Sequence, residues 1–213
     1  MRAPNDPVVA WRLPPRRGPS TPLLVFLHGR GADEADLLDC ASALPPEFAY
    51  ASVRAPIELD GGGYTWFESR AVARPVAATL RASIDMTRAW LDGPATAQFN
   101  RKRTYLFGFS AGMMMGGAML LDDPARFAGA VLLSGAIPFD AGVAAPPQRL
   151  AGVPVFNGHG ALDDVIPANL VAQTRQYLRD RSGAVLTSRE YQHAHAISPR
   201  ELADIGTWLR ELG

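Results

Sequence analysis

Short, mostly apolar runs recur along this chain, and most are followed by a longer stretch with helical spacing. LLVFLHG (23–29), RTYLFGF (103–109), FAGAVLLSG (127–135) and VPVFNGHG (153–160) are the clearest runs. Neighbouring side chains on a strand point to opposite sides, so a strand that is apolar at successive positions must be covered on both faces. FAYASV (48–53) and AVLTSREYQ (184–192) read as further strands, and VVAWRL (8–13) as an edge strand. Between them lie the helical segments. Residues 74–93 put Leu80, Ile84, Thr87 and Leu91 on one face, with Arg81, Asp85 and Arg88 off it and Gly93 closing the end. Residues 110–121, 167–180 and 198–212 read as helices. The last opens with Ser198, Pro199 and Glu201, a capping box with proline at its first position. Residues 33–44 read as a helix with Asp33 as its N-cap. Strands alternating with helices imply a mostly parallel sheet with helices on both faces, an α/β architecture. Without an internal repeat or a dividing linker, residues 1–213 are expected to form one domain.

Charge narrows the partners. Lys+Arg and Asp+Glu number 21 each, so no basic field draws the chain to nucleic acid or to an anionic membrane. The N-terminal 22 residues lack the apolar core of a signal peptide, and no run reaches about 18 apolar residues. One cysteine, Cys40, excludes an internal disulfide framework. Cytoplasmic residence, no stable membrane insertion and no bound metal are the resulting expectations.

The sequence GFSAG (108–112) interrupts the strand–helix pattern. A strand that turns sharply into a helix forces its central residue into a strained conformation and leaves room beside it only for small side chains. Gly108 and Gly112 supply the room, and Ser110 is held out at the carboxyl edge of the sheet as a nucleophile. The helix behind it offers unpaired N–H groups to an oxyanion. A serine needs a base, and the base needs an orienting acid. Asp163 and Asp164 follow one later strand, and His193 and His195 follow the next, so the residues alone leave two acids and two bases.

FLHGRGADEADLL, YTWFES, GFSAG, GHGALDDVIP and HAHAISPRELADIGTWL together resemble the phospholipase/carboxylesterase family of α/β-hydrolases, which includes acyl-protein thioesterases and small carboxylesterases. The resemblance implies an α/β-hydrolase fold with no sizeable lid domain. It assigns catalysis to Ser110, Asp163 and His195, although Ala194 stands where the family usually has glycine. It implies an oxyanion hole from the backbone N–H groups of Arg30 and Ala111, and a cleft lined by Trp66 and Phe67. His28 and His159 are expected to be structural. The implied activity is hydrolysis of carboxylic esters of short to medium acyl chain, with no cofactor, a small-molecule ester as partner and a homodimer as a candidate assembly. An acyl-protein thioesterase or lysophospholipase is the alternative within the class, and a non-catalytic small-ligand binder the alternative outside it. The loop 136–152, rich in Pro, Ala and Gly, lacks the helical period of a lid and suggests an open cleft.

Overall fold

The structure, a computed structural model, describes residues 6–212. The expectation about a leader falls partly on residues 1–5, outside the described residues. Seven strands form one sheet: β1 (Val9–Arg12), β2 (Leu23–Leu27), β3 (Ala49–Val53), β4 (Thr104–Phe109), β5 (Gly129–Leu133), β6 (Pro154–Gly160) and β7 (Val185–Tyr191). Their order is β1-β3-β2-β4-β5-β6-β7. β1 runs antiparallel to β3 at one edge, and every other neighbouring pair is parallel.

The apolar runs are buried as their composition requires. Leu23, Val25 and Leu27 join a core built with α1 (Ala77–Asp92), α2 (Ala111–Asp122) and Tyr177 and Leu178 of α3 (Ala168–Asp180). Leu24 and Phe26 face the other way, into a core closed by Ile205, Trp208 and Leu209 of α4 (Pro199–Glu211). The buried stripe of α1 contains the four expected positions together with Ser83 and Trp90. α4 starts where expected, with Ser198 Oγ accepting the Glu201 N–H at 3.2 Å. None of the described helices is long and apolar enough to cross a membrane.

Two elements depart from the sequence reading. Residues 33–44 do not form an α-helix: Asp33 Oδ1 takes the Ala35 N–H at 2.8 Å in a local turn, and only a short 3₁₀ segment, Leu38–Ala43, precedes Pro45 and Pro46. Two small antiparallel ladders stand between β3 and α1, pairing 57–58 with 64–65 and 69–71 with 74–75. Strands of two or three residues are too short to show a period.

Register sets the site. Leu27 pairs with Gly108, Phe109 with Leu133, and Gly160 with Tyr191, so the carboxyl ends of β2, β4, β5, β6 and β7 share one rim. The loops leaving that rim carry Arg30, Ser110, Asp163 and His195. In open α/β sheets this rim is where ligands bind.

Candidate active site

Ser110 has φ 56° and ψ −117°, a conformation that side chains other than glycine rarely adopt. The neighbours hold it there. Its N–H donates to Leu133 O at 3.0 Å, and its carbonyl accepts from Met114 N–H at 3.2 Å at the start of α2. A methyl group on Gly108 would overlap the Gly112 carbonyl, and one on Gly112 would overlap the Leu27 carbonyl. The two glycines therefore let β2, β4 and α2 approach closely enough to make the turn.

Two chains of contact converge on the serine. His195 Nε2 lies 2.9 Å from Ser110 Oγ, and its Nδ1 lies 2.8 Å from Asp163 Oδ2. The Asp163 side chain is fully buried, and its Oδ1 accepts the N–H groups of Val165 at 2.9 Å and Ile166 at 3.2 Å. Burial alone would raise its pKa. The His195 contact and the two amides outweigh burial and hold the carboxyl below its ordinary value. Phe109 stacks obliquely against His195, with ring centres 5.0 Å apart. Asp164 is exposed, and His193 turns away to contact Ala194 O and Glu201. Of the two acids and two bases open in the sequence, the structure brings Asp163 and His195 to Ser110.

The loop after β2 is braced from below. His28 is fully buried; its Nδ1 meets Gly29 O at 2.7 Å, and its Nε2 accepts the Ala55 N–H at 3.0 Å. Nε2 must carry a lone pair to accept the Ala55 N–H, so the ring is neutral and binds backbone on both sides; burial lowers its pKa in the same sense. Gly31 N–H donates to Tyr64 O at 2.9 Å, and Tyr64 N–H returns to Ala32 O. Arg54 covers the Tyr64 ring at 4.5 Å and grips Glu34 with two nitrogens. Among the described residues, neither the Arg30 nor the Ala111 N–H has an acceptor. His159, buried and with its pKa lowered chiefly by burial, has Nε2 3.7 Å from Asp163 Oδ2.

The expected lining of the cleft requires correction. Trp66 is fully buried: its Nε1 donates to His28 O at 2.9 Å and its ring packs beside His28. Phe67 is 3% exposed, within the same core. A satisfied indole N–H and the apolar underside of α1 draw both rings inward, so they support the loop after β2 from beneath. Above this core stands a segment the sequence reading missed, the 69–75 hairpin. Its Ala73 packs on Ala136, Ile166, Leu170 and Val171, and Arg74 meets Asp140 at 2.6 Å. The hairpin thereby reaches from the Trp66 side of the rim to the Asp163 side.

A serine at a strand–helix turn, in line with a histidine and an aspartate from the ends of later strands of one parallel sheet, is the arrangement of an α/β-hydrolase. The phospholipase/carboxylesterase family model matches residues 12–212, and the chain belongs to that family of carboxylic ester hydrolases. A Bacillus subtilis protein described as putative hydrolase MhqD is 28% identical, over 92% of this chain and 96% of its own. A carboxylesterase from Mesorhizobium loti superposes with TM-score 0.80 at 26% identity, covering 91% of this chain and 90% of its own. The Bacillus cereus carboxylesterase shares the fold with TM-score 0.84 at 23% identity, covering 96% and 94%.

Proposed function

We propose that Ser110, His195 and Asp163 act as a catalytic triad that hydrolyses carboxylic esters of short to medium acyl chain through an acyl-enzyme. Asp163 holds a proton on His195 Nδ1, which leaves Nε2 to take the Ser110 proton as Oγ attacks the acyl carbonyl. The tetrahedral oxyanion accepts from the Arg30 and Ala111 N–H groups. His195 then protonates the leaving alcohol. In the second half it activates water, which attacks the acyl carbon and releases the acid. The observation that carries this reading is the unbroken line from Asp163 through His195 to Ser110, with contacts of 2.8 and 2.9 Å. The 136–152 segment forms turns and no helix, which supports an open cleft and, with it, a short to medium acyl chain. The reading sets the reaction in the cytoplasm, where a chain with the single half-buried Cys40 needs no disulfide.

Fluorophosphonate labelling, followed by kcat/KM for p-nitrophenyl esters from acetate to laurate, tests both parts. Labelling confined to Ser110 and a maximum at or below the octanoate are expected. Labelling elsewhere would remove the triad, and a rate still climbing at laurate would remove the chain-length assignment.

A further inference from the structure

A second histidine–carboxylate contact lies two residues from the triad. Glu201, in the first turn of α4, is fully buried, and its Oε2 lies 3.2 Å from His193 Nε2. His193 Nδ1 faces Ala194 O at 2.8 Å. A carbonyl can only accept, so Nδ1 carries a proton and Nε2 is the atom left for the carboxylate. The contact is close but lacks good hydrogen-bond alignment, and among the described residues neither Glu201 oxygen has another side-chain donor. The surroundings are built around it. The Tyr191 ring lies nearly parallel to His193, centres 5.8 Å apart, and its hydroxyl donates to Asp204 Oδ2 at 2.9 Å. β6 faces the pair with glycines only: a methyl on Gly158 would strike Glu201 Oε1, and one on Gly160 would strike the His193 backbone and ring.

A buried carboxylate is costly without a counter-charge, and the exposed face of α4 had room for it. Its inward position instead ties the exit of β7 to the start of α4. The tie spans residues 193–201, and His195 lies inside it. His195 is carried on a loop with no regular hydrogen-bond ladder, so its distance from Ser110 depends on where that loop is pinned. We propose that the His193–Glu201 pair is a positioning device that holds the 193–198 loop so that His195 stays in line between Asp163 and Ser110. The proposal rests on His195 being the catalytic base. It also gives His193 a role that the choice between two candidate bases leaves open.

The charge balance makes the device sensitive to pH. Burial raises the Glu201 carboxyl, while His193 and the Ser198 N–H favour its charged form and Asp204 opposes it. In His193→Ala the imidazole facing the carboxylate is gone. Above the raised pKa the carboxylate is charged, buried and unpaired, and the loop distorts to solvate it. Below that pKa the carboxyl is neutral and the loop relaxes. The defect therefore grows as pH rises.

The test compares His193→Ala, Glu201→Gln, their double variant and His193→Gln, with His195→Ala as a control. kcat and KM are measured from pH 6 to pH 8.5 on active sites titrated with a fluorophosphonate. At pH 8.5, His193→Ala should lose on the order of 10²-fold in kcat, as a small misplacement of a catalytic group does, with KM unchanged. Its ratio to wild type should recover towards pH 6. Adding Glu201→Gln should restore kcat to within about twofold of Glu201→Gln alone, because the unpaired charge is then absent. Should His193→Ala fail to fold, His193→Gln, which keeps a donor near the carboxylate, carries the test through an intermediate kcat loss at unchanged KM. Wild-type kcat in His193→Ala or, where that variant cannot be measured, in His193→Gln overturns the proposal. A loss that neither low pH nor Glu201→Gln repairs also overturns it. An active His195→Ala would instead defeat the triad reading itself.

Discussion

Ser110 and His195 meet at 2.9 Å, yet the segments that carry them are held by different means. The elbow is held by backbone. Its serine has a strained φ, its N–H is bound to β5, and two glycines leave no space for any side chain between β2, β4 and α2. The His195 loop has one backbone tie at its start, Leu162 N–H to His193 O at 3.1 Å, and beyond it is held by side chains: His193 on Glu201, Tyr191 on Asp204, and His195 on Asp163. Backbone restraint is independent of pH and intolerant of added volume. Side-chain restraint depends on protonation. A serine that the proposed mechanism needs kept in its strained turn suits the first kind. A base that, in the proposed mechanism, changes protonation in every cycle is compatible with the second.

The largest effect should come from the elbow. Ser110→Ala is expected to lower kcat by on the order of 10⁶, as loss of the nucleophile does in a related triad, with an unchanged circular dichroism spectrum. A variant keeping a tenth of the wild-type rate would break the comparison at its first term. On the other side, Asp163→Asn should cost about 10⁴ in kcat, because the amide favours the wrong His195 tautomer. Asp164→Asn, at an exposed position, should leave kcat where it was. Steady-state kinetics on the two variants decide between neighbouring carboxylates.

The third prediction concerns volume. Gly112→Ala is expected to destabilise the fold by about 3 kcal/mol, read as a lowered urea midpoint, because its methyl meets a strand carbonyl that cannot rotate away. A wild-type midpoint would mean that the elbow yields and is not held by backbone. The smallest effect is in pH. His28 has a folded pKa below its ordinary 6.5, chiefly through burial. Below pH 6.5 the unfolded chain therefore takes up a proton that the native ring refuses, and stability is lost as pH falls. Denaturation at pH 7.5 and pH 5.5 should show a smaller decline for His28→Asn than for wild type. An equal decline would place the acid sensitivity elsewhere.

Much of this was readable before any coordinates. The alternation of apolar runs with amphipathic segments determined a parallel sheet covered on both faces, because successive apolar residues on a strand cannot be buried otherwise. The glycines at 108 and 112 marked the turn, because a side chain at either place is excluded by backbone. The start of α4 could be read from Ser198 and Pro199, since capping is settled within one turn. What the sequence could not decide depends on distance between segments far apart in the chain. His193 and His195 are equivalent under a period of two; the family resemblance favours His195, but the approach of residue 195 to residues 110 and 163, across separations of 85 and 32 positions, belongs to tertiary packing. Trp66 matches a cleft aromatic in its local motif, yet the carbonyl of His28, 38 residues earlier, draws it into the core. Glu201 reads as half of a capping box, and its burial against His193 arises only once α4 docks on β6 and β7. Local geometry is written in neighbouring residues; which side chains share a buried volume is settled by packing.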